Sequence, residues 1–320
     1  MHRIVLIVAT CTALAAPAFA QTYPNRPVKF VSSYAPGGSS DIGLRLVTQK
    51  LTEGGWQSPI IENKPGGGGI VAAEIVKQAL PDGYTLFQSD ISALAINVTL
   101  APNMPYDPIK DFTPITLMWN FPSVLVVPKD SPAKTGAELI ALAKTKPGGL
   151  SYASQGMGSG GHLLGTMFQN SLGMNMIHVP YRGAGAAMPD VAAGRVDYIF
   201  ASYGSVKQYI EAGTVRLLAV TSKQRLPDFP DAPTMTELGH GSVFLDVWFG
   251  LSGPANMPPG LVSTINSTVA KVLNTPEMIK RLAEVGLYVQ TTTPEGYGAL
   301  IRDDIARLGK VVRDANIKRE

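Results

Sequence analysis

Two glycine-rich turns, each following a short apolar run and each opening a helix, are the parts of this chain whose residue types and spacing best suit chemistry. The first leads from residues 28–34 into Pro36-Gly37-Gly38-Ser39-Ser40, the second from residues 150–154 into Gly156-Met157-Gly158-Ser159-Gly160-Gly161. A helix N-terminus presents unpaired backbone N–H groups and about half a positive charge, and glycine lets a ligand approach them closely. The chemistry expected is therefore anion capture, with a small carboxylate held between two such cradles.

Tyr34 and Ser39 flank the glycines of the first turn at the carboxyl end of a strand and are expected to reach the ligand, with Pro36, Gly37, Gly38 and Ser40 completing the cradle. Ser39 or Ser40 is expected to cap the helix, while Asp41 faces its dipole and pairs with Arg45 four residues on, a structural role. In the second turn His162 falls in the first helical turn, where it either packs as a helix-start residue or touches the ligand. The run 65–69, four glycines after Pro65, reads either as a third cradle or as a surface loop.

Rival chemistries lack their residues. Gly156-Met157-Gly158-Ser159-Gly160-Gly161 has the G-x-G-x-x-G form of a dinucleotide site, but no acid follows until Asp190, far beyond the distance a ribose contact needs. No Gly-Lys-Ser or Gly-Lys-Thr supplies a phosphate loop. Gly250-Leu251-Ser252-Gly253 lacks the G-x-S-x-G spacing of a nucleophile elbow, and His162, His178 and His240 are scattered along the chain. They suggest neither a catalytic base beside a serine nor a metal site, so no cofactor is expected.

The rest of the chain must position these turns in the right compartment. His2-Arg3, the apolar stretch 4–16 and Pro17-Ala18-Phe19-Ala20 form a signal peptide with its cut after Ala20, the apolar run being shorter than the roughly twenty residues a membrane span needs. The chain's one cysteine, Cys11, lies inside that run, so a lipid anchor there is not expected and the mature protein has neither disulfides nor thiol chemistry. Of 27 basic side chains Arg3 leaves with the leader, so 26 face 24 acidic ones, which gives nucleic-acid binding no electrostatic support.

Short apolar runs alternate with helical patterns, the mark of α/β architecture with mainly parallel strands. Strands are predicted at 28–33, 60–62, 84–88, 123–127, 150–153, 196–201 and 215–220. Helices are predicted at 42–51, buried through Leu44, Val47 and Leu51; at 71–80, through Ile75, Val76 and Ala79; and at 138–146, through Leu139, Leu142 and Ala143. Thr275-Pro276-Glu277 and Pro294-Glu295 open two further helices. Two strongly β-prone segments, near 120–128 and 243–253, are expected to cross between a first lobe of residues 21–122 and 249–320 and a second of residues 123–248. The alternative is one continuous sheet. Phe121, Tyr203, Trp248 and Phe249 are candidates for an apolar wall on the cleft.

Six segments in order, Tyr34-Ala35-Pro36-Gly37-Gly38-Ser39-Ser40-Asp41, Glu62-Asn63-Lys64-Pro65-Gly66, Pro81-Asp82-Gly83-Tyr84-Thr85-Leu86, Tyr106-Asp107-Pro108 with Asp111-Phe112, Val179-Pro180-Tyr181-Arg182-Gly183 and Ala193-Gly194-Arg195-Val196-Asp197, resemble the Bug-type receptors of tripartite tricarboxylate transporters. The resemblance implies a two-lobed periplasmic binding protein, type II-like, with the ligand cleft between the lobes. It implies a monomer that delivers organic acids to a membrane permease and catalyses nothing. It also implies that the ligand carboxylate is held by residues 34–40 and 154–162, which brings in Ser154, Gly158 and Ser159.

The chain departs from that pattern in two places. Gln88-Ser89-Asp90-Ile91-Ser92 replaces a stretch rich in Gly and Thr; Asp90 there repels a second carboxylate, reads an amino or hydroxyl group, or simply caps the next helix. Ala201-Ser202-Tyr203 stands where many relatives carry an acid, which makes Ser202 and Tyr203 candidate contacts. A periplasmic protein that signals to a sensor partner and a secreted hydrolase remain the alternative functions.

Overall fold

Strand β1 (Lys29–Ser32) lies between two parallel neighbours, β2 (Ile60–Asn63) and β3 (Thr85–Asp90), and because crossover helices cover the faces of a parallel sheet, Phe30, Val31 and Ser32 are buried. The computed structural model describes residues 23–101, 103–181, 183–222, 224–226 and 228–314; the leader, its cut after Ala20, and Arg182 lie outside the described residues. Helix α1 (Ser39–Glu53) returns from β1 and buries Leu44, Val47 and Leu51, as its periodicity predicts. Helix α2 (Ile70–Lys77) stops three residues short of the predicted end. It buries Ala72, Ala73 and Val76, with Ile75 half-buried and Leu80 72% exposed beyond its end.

The predicted strand 84–88 is longer than its apolar pattern shows. Strand β3 continues through Ser89 and Asp90 because these polar residues find partners inside the sheet: the Ser89 hydroxyl lies 2.9 Å from both Ser252 Oγ and Tyr297 Oη. A π turn, Ser92–Ile96, then runs into the short helix α3 (Asn97–Leu100). Strand β4 (Phe112–Pro128) spans 17 residues and joins two sets of strands.

The second set begins after α4 (Gly136–Thr145), with β5 (Ser151–Ser154), α5 (Gly160–Leu172), β6 (Ile177–Pro180), α6 (Ala184–Ala192), β7 (Tyr198–Ser202), α7 (Tyr203–Glu211) and β8 (Val215–Val220). Strand β9 (Asp246–Pro254) returns to pair with β3 and the first part of β4. Helices α8 (Pro259–Leu273) and α9 (Pro276–Glu284), the two-residue β10 (Tyr288–Val289) and α10 (Pro294–Asp314) complete the chain. The prolines open α8, α9 and α10, and the Thr275 hydroxyl accepts the Met278 N–H at the start of α9.

Hydrogen bonding makes one ten-stranded sheet, in the order β2-β1-β3-β9-β4-β7-β5-β6, with β10 and β8 also paired to β4. Its strands nonetheless sort into two groups: residues 112–122 of β4 pair with β9, and residues 123–128 pair with β7 and β8. The architecture is α/β, with two groups of strands joined through β4. Parallel pairing holds within β2-β1-β3 and β7-β5-β6. Mixed sheets replace the expected mainly parallel ones because the long strand and its partners β7, β8, β9 and β10 run antiparallel. Among the described residues no helix is long and apolar enough to cross a membrane.

Candidate functional site

Each predicted contact lies at the carboxyl end of a strand, where α/β sheets present their ligand sites. Residues 34–40 follow β1, Asp90 ends β3, Ser154 ends β5, residues 158–162 open α5, and Ser202 and Tyr203 join β7 to α7. The turns behave differently, however, once their hydrogen bonds are followed.

The first turn is braced from outside and left open at the helix end. Gly38 is the N-cap of α1, with no side-chain cap, so neither Ser39 nor Ser40 plays the capping role expected of it. Asp41 accepts the Gly37 N–H at 3.0 Å, Arg45 Nε at 2.8 Å and Asn63 Nδ2 at 2.9 Å, and Asn63 also donates to the Tyr34 carbonyl at 2.8 Å. Burial opposes the Asp41 charge, but the bonds from Arg45, Gly37 and Asn63 outweigh it and hold the carboxyl below its usual range. Gln88 fixes the other side, accepting from Ser32 Oγ at 2.7 Å and donating to the Ser40 carbonyl at 2.9 Å. Gly37 has φ +89°, and space is open around the missing side chains of Gly37 and Gly38. Braced backbone with uncapped N–H groups and open approach is the arrangement an anion needs.

The second turn consumes most of its own donors. The Ser159 hydroxyl caps α5 by accepting the His162 N–H at 3.3 Å, and Gly161 N–H donates to Gln155 Oε1 at 3.1 Å. Gly158 N–H donates to His162 Nδ1 at 3.1 Å, which leaves the imidazole proton on Nε2. Its glycines serve close packing as well: a Cβ on Gly161 would come within 2.6 Å of the Phe200 carbonyl, and one on Gly158 within 2.8 Å of Leu100 Cδ1.

Histidines that are scattered in sequence meet here. The rings of His162 and His178 stack at 4.1 Å, and Tyr152 continues the stack on His178 at 4.9 Å. Burial, with His178 close by, lowers the His162 pKa to about 4 and keeps the imidazole neutral. His178 Nε2 lies 2.7 Å from Ser154 Oγ, the serine–histidine contact a hydrolase would use. Ser154 is fully buried, and its hydroxyl also contacts the Gly156 backbone at 3.1 Å.

A third helix start completes the constellation. Helix α7 begins at N-cap Ser202 without a side-chain cap, and Ser202 and Ser205 bond to each other. Gly204, in the first turn of α7, lies against Ser39 and Val285, bringing the start of α7 onto the open start of α1. Nothing in the sequence signals the Gly204 or His178 contacts, since both join residues far apart in the chain.

Of the four candidate wall residues, two gather at the first turn. Phe249 packs edge-on against Tyr34 with ring centres 5.3 Å apart and lies 5.5 Å from Phe121. Trp248 belongs to the core, its indole N–H donating to Asp304 at 2.7 Å, and Tyr203 packs against Phe229. Burial, with the Asp90 carboxylate close by, pushes the Tyr34 phenol well above its usual range, so it remains a donor.

Asp90 caps the π turn, its Oδ1 accepting the Ser92 N–H at 2.8 Å and the Ala93 N–H at 3.1 Å. The run 65–69 is an ordered turn over this point: Gly66, Gly67, Gly68 and Gly69 all have positive φ, and Asn97 Nδ2 donates to the Gly68 carbonyl at 2.8 Å. Among the described residues no group of three or more His, Cys, Asp or Glu side chains is placed to hold a metal ion.

A family model described as the tripartite tricarboxylate transporter family receptor matches residues 44–317. Protein BugT of Bordetella pertussis (strain Tohama I) is 32% identical over 306 residues, which is 95% of this chain and 94% of that protein. An R. palustris protein solved with adipate superposes with a TM-score of 0.86 at 33% identity, covering 92% of this chain and 99% of its own. MatC from Rhodopseudomonas palustris, solved with bound malate, gives a TM-score of 0.81 at 30% identity, covering 91% of this chain and all of its own.

Proposed function

Because the chain belongs to the receptor family of the tripartite tricarboxylate transporters, we propose that it is a periplasmic receptor that captures a small organic carboxylate between its two groups of strands and delivers it to a tripartite membrane permease. The observation that carries this reading is the uncapped start of α1, braced by Asp41, Asn63 and Gln88 and facing the uncapped start of α7. Relatives solved with adipate and with malate support an organic acid as the ligand class.

Magnitudes explain why two helix starts are required. Hydrogen bonds to a carboxylate contribute about 1.5 to 3 kcal/mol each, while association and ordering cost about 4 to 15 kcal/mol. Two or three bonds from one turn leave little net affinity. Donors from α7 together with the apolar edge of Phe249 and Phe121 supply the rest, and the ligand then stabilises the form in which both sides touch it. That form is what the permease recognises.

Thermal unfolding of the mature chain in the presence of mono-, di- and tricarboxylates tests the reading. A ligand at a hundred times its dissociation constant adds about 2.7 kcal/mol of stability, a shift of several degrees. At least one organic acid is expected to produce it without being consumed. Absence of a shift with every acid, or turnover of one, overturns the proposal.

A further inference from the structure

The segment 284–288, which leads from the end of α9 into β10, touches both groups of strands at once. It is rooted in the first group. Strand β10 pairs with Asn120 and Trp119 of β4, in the stretch that also pairs with β9, and Leu282 and Leu287 lie against Gly43 of α1. Lys50 of α1 ties α9 down further, its Nζ 2.8 Å from Glu277 Oε2.

From there contacts cross to the second group. The backbone of Val285 and Gly286 lies against Gly204 in the first turn of α7; Gly286 has φ +76°, and a Cβ on it would meet the Gly204 nitrogen at 2.7 Å. Lys207, one turn along α7, donates to the Glu284 carbonyl at 3.2 Å, at the end of α9 where the helix dipole favours a positive charge. The Tyr288 hydroxyl donates to Asp228 Oδ2 at 3.4 Å, and the neighbouring Phe229 packs on Tyr203 at the start of α7. Burial, with the Asp228 carboxylate close by, pushes the Tyr288 phenol up to about 12, so it stays a donor.

The end of α9 is thus fastened to α1 on one side and to α7 on the other. Moving α7 away from α1 breaks these contacts. Lys207 and Tyr288 lie outside residues 34–40, 90, 154–162, 202 and 203, so their influence on capture runs through the position of α7. A ligand that needs both helix starts binds only the form in which they stand together, and its apparent affinity is reduced by the fraction of the protein in that form.

Resting on the carboxylate-receptor reading, we propose that the segment 284–288 is a strap holding the start of α7 against the start of α1, and that Lys207 and Tyr288 are positioning residues that raise ligand affinity without touching the ligand. Loosening the strap should therefore weaken every ligand by one common factor.

The test is the double variant Lys207→Met, Tyr288→Phe, which keeps the bulk of both side chains and removes both polar contacts. Succinate, malate and adipate are the calorimetric probes. Each that binds the wild type should bind the double variant about 4- to 30-fold more weakly, by the same factor for all. Lys207→Arg, which keeps a donor, should remain near wild type. Gly286→Ala, which forces the strap off Gly204, should weaken the same probes together and gives a second reading should the double variant fail to fold.

A measurement without ligand separates the strap from the receptor reading. A chain beginning at Gln21 has no cysteine, so spin labels on Gln49→Cys in α1 and Gln208→Cys in α7, both exposed, report the distance between these helices. The double variant should show a larger share of long distances than the wild type. An unchanged distance distribution overturns the strap whether or not any acid binds, and so does equal affinity or a loss confined to one acid. A lower melting temperature with distance and affinity unchanged marks a merely structural contact and overturns it too. Longer distances in the variant, with no acid bound by the wild type, leave the strap standing and remove the receptor reading alone.

Discussion

Ser39, in the first turn of α1, and Gly204, in the first turn of α7, stand in direct contact: a Cβ on Gly204 would lie 2.6 Å from the Ser39 hydroxyl oxygen. The same Cβ would press on the Val285 backbone, which cannot turn aside as a side chain can. At Gly204 itself there is therefore no room for a methyl group.

Gly204→Ala should hold those starts apart. Overpacking of this kind costs about 1 to 3 kcal/mol, so ligand affinity should fall roughly 5- to 150-fold. Circular dichroism should show the fold retained while calorimetry shows the weakened binding. Unchanged affinity would mean that the contact takes no part in capture.

Asp41→Ala removes the acceptor for Gly37, Arg45 and Asn63 at once. Arg45 is half exposed and can turn to water, so the loss comes mainly from the two neutral donors, about 1 to 3 kcal/mol. The melting temperature should drop by several degrees, and binding should weaken further because the turn loses its brace. A variant with wild-type stability and affinity would contradict the bracing role.

Burial raises the Asp90 carboxyl to about 6, bonds from the Ala93 and Ser92 backbone offsetting only part of that effect. Between about pH 4 and 6 the folded protein then holds a proton that the unfolded chain has released, so this group favours folding at pH 4 and increasingly opposes it up to pH 6, by about 3 kcal/mol in all. Unfolding free energies of wild type and Asp90→Asn should show the wild type losing ground to the variant across that window. A constant difference would show that Asp90 titrates at an ordinary pKa.

His162 acts with the opposite sign. Its pKa, lowered to about 4, means that the unfolded chain binds a proton below about pH 6.5 that the folded protein refuses until about pH 4, so its contribution to stability is lost as pH falls through that range. By nuclear magnetic resonance the His162 ring should remain neutral at pH 5.5. Titration near 6.5 would contradict the buried stack with His178.

Local pattern made much of this molecule legible. The spacing of Leu44, Val47 and Leu51, the pairing of Asp41 with Arg45, and Thr275-Pro276 at a helix start each depend on neighbours within a few residues, and each takes the form the sequence predicts. Both glycine turns sit between strand and helix as expected. What was hidden depends on partners distant in the chain. Ser89 and Asp90 look like loop residues until Ser252 and Tyr297 are placed beside Ser89, and no spacing announces that His178 stacks on His162 or that Gly204 meets Ser39. The two turns also look alike in sequence. Only the hydrogen bonds of Gln155, Ser159 and His162 reveal that the second spends its donors internally while the first keeps them open.

The most direct test is a crystal structure of the mature protein with the organic acid that stabilises it most. The expected result is a ligand carboxylate within hydrogen-bond distance of the backbone N–H groups of Ser39 and Ser40, with the start of α7 closing on its other side. A carboxylate bound away from the start of α1, or an α1 start facing bulk solvent in the complex, would contradict the account.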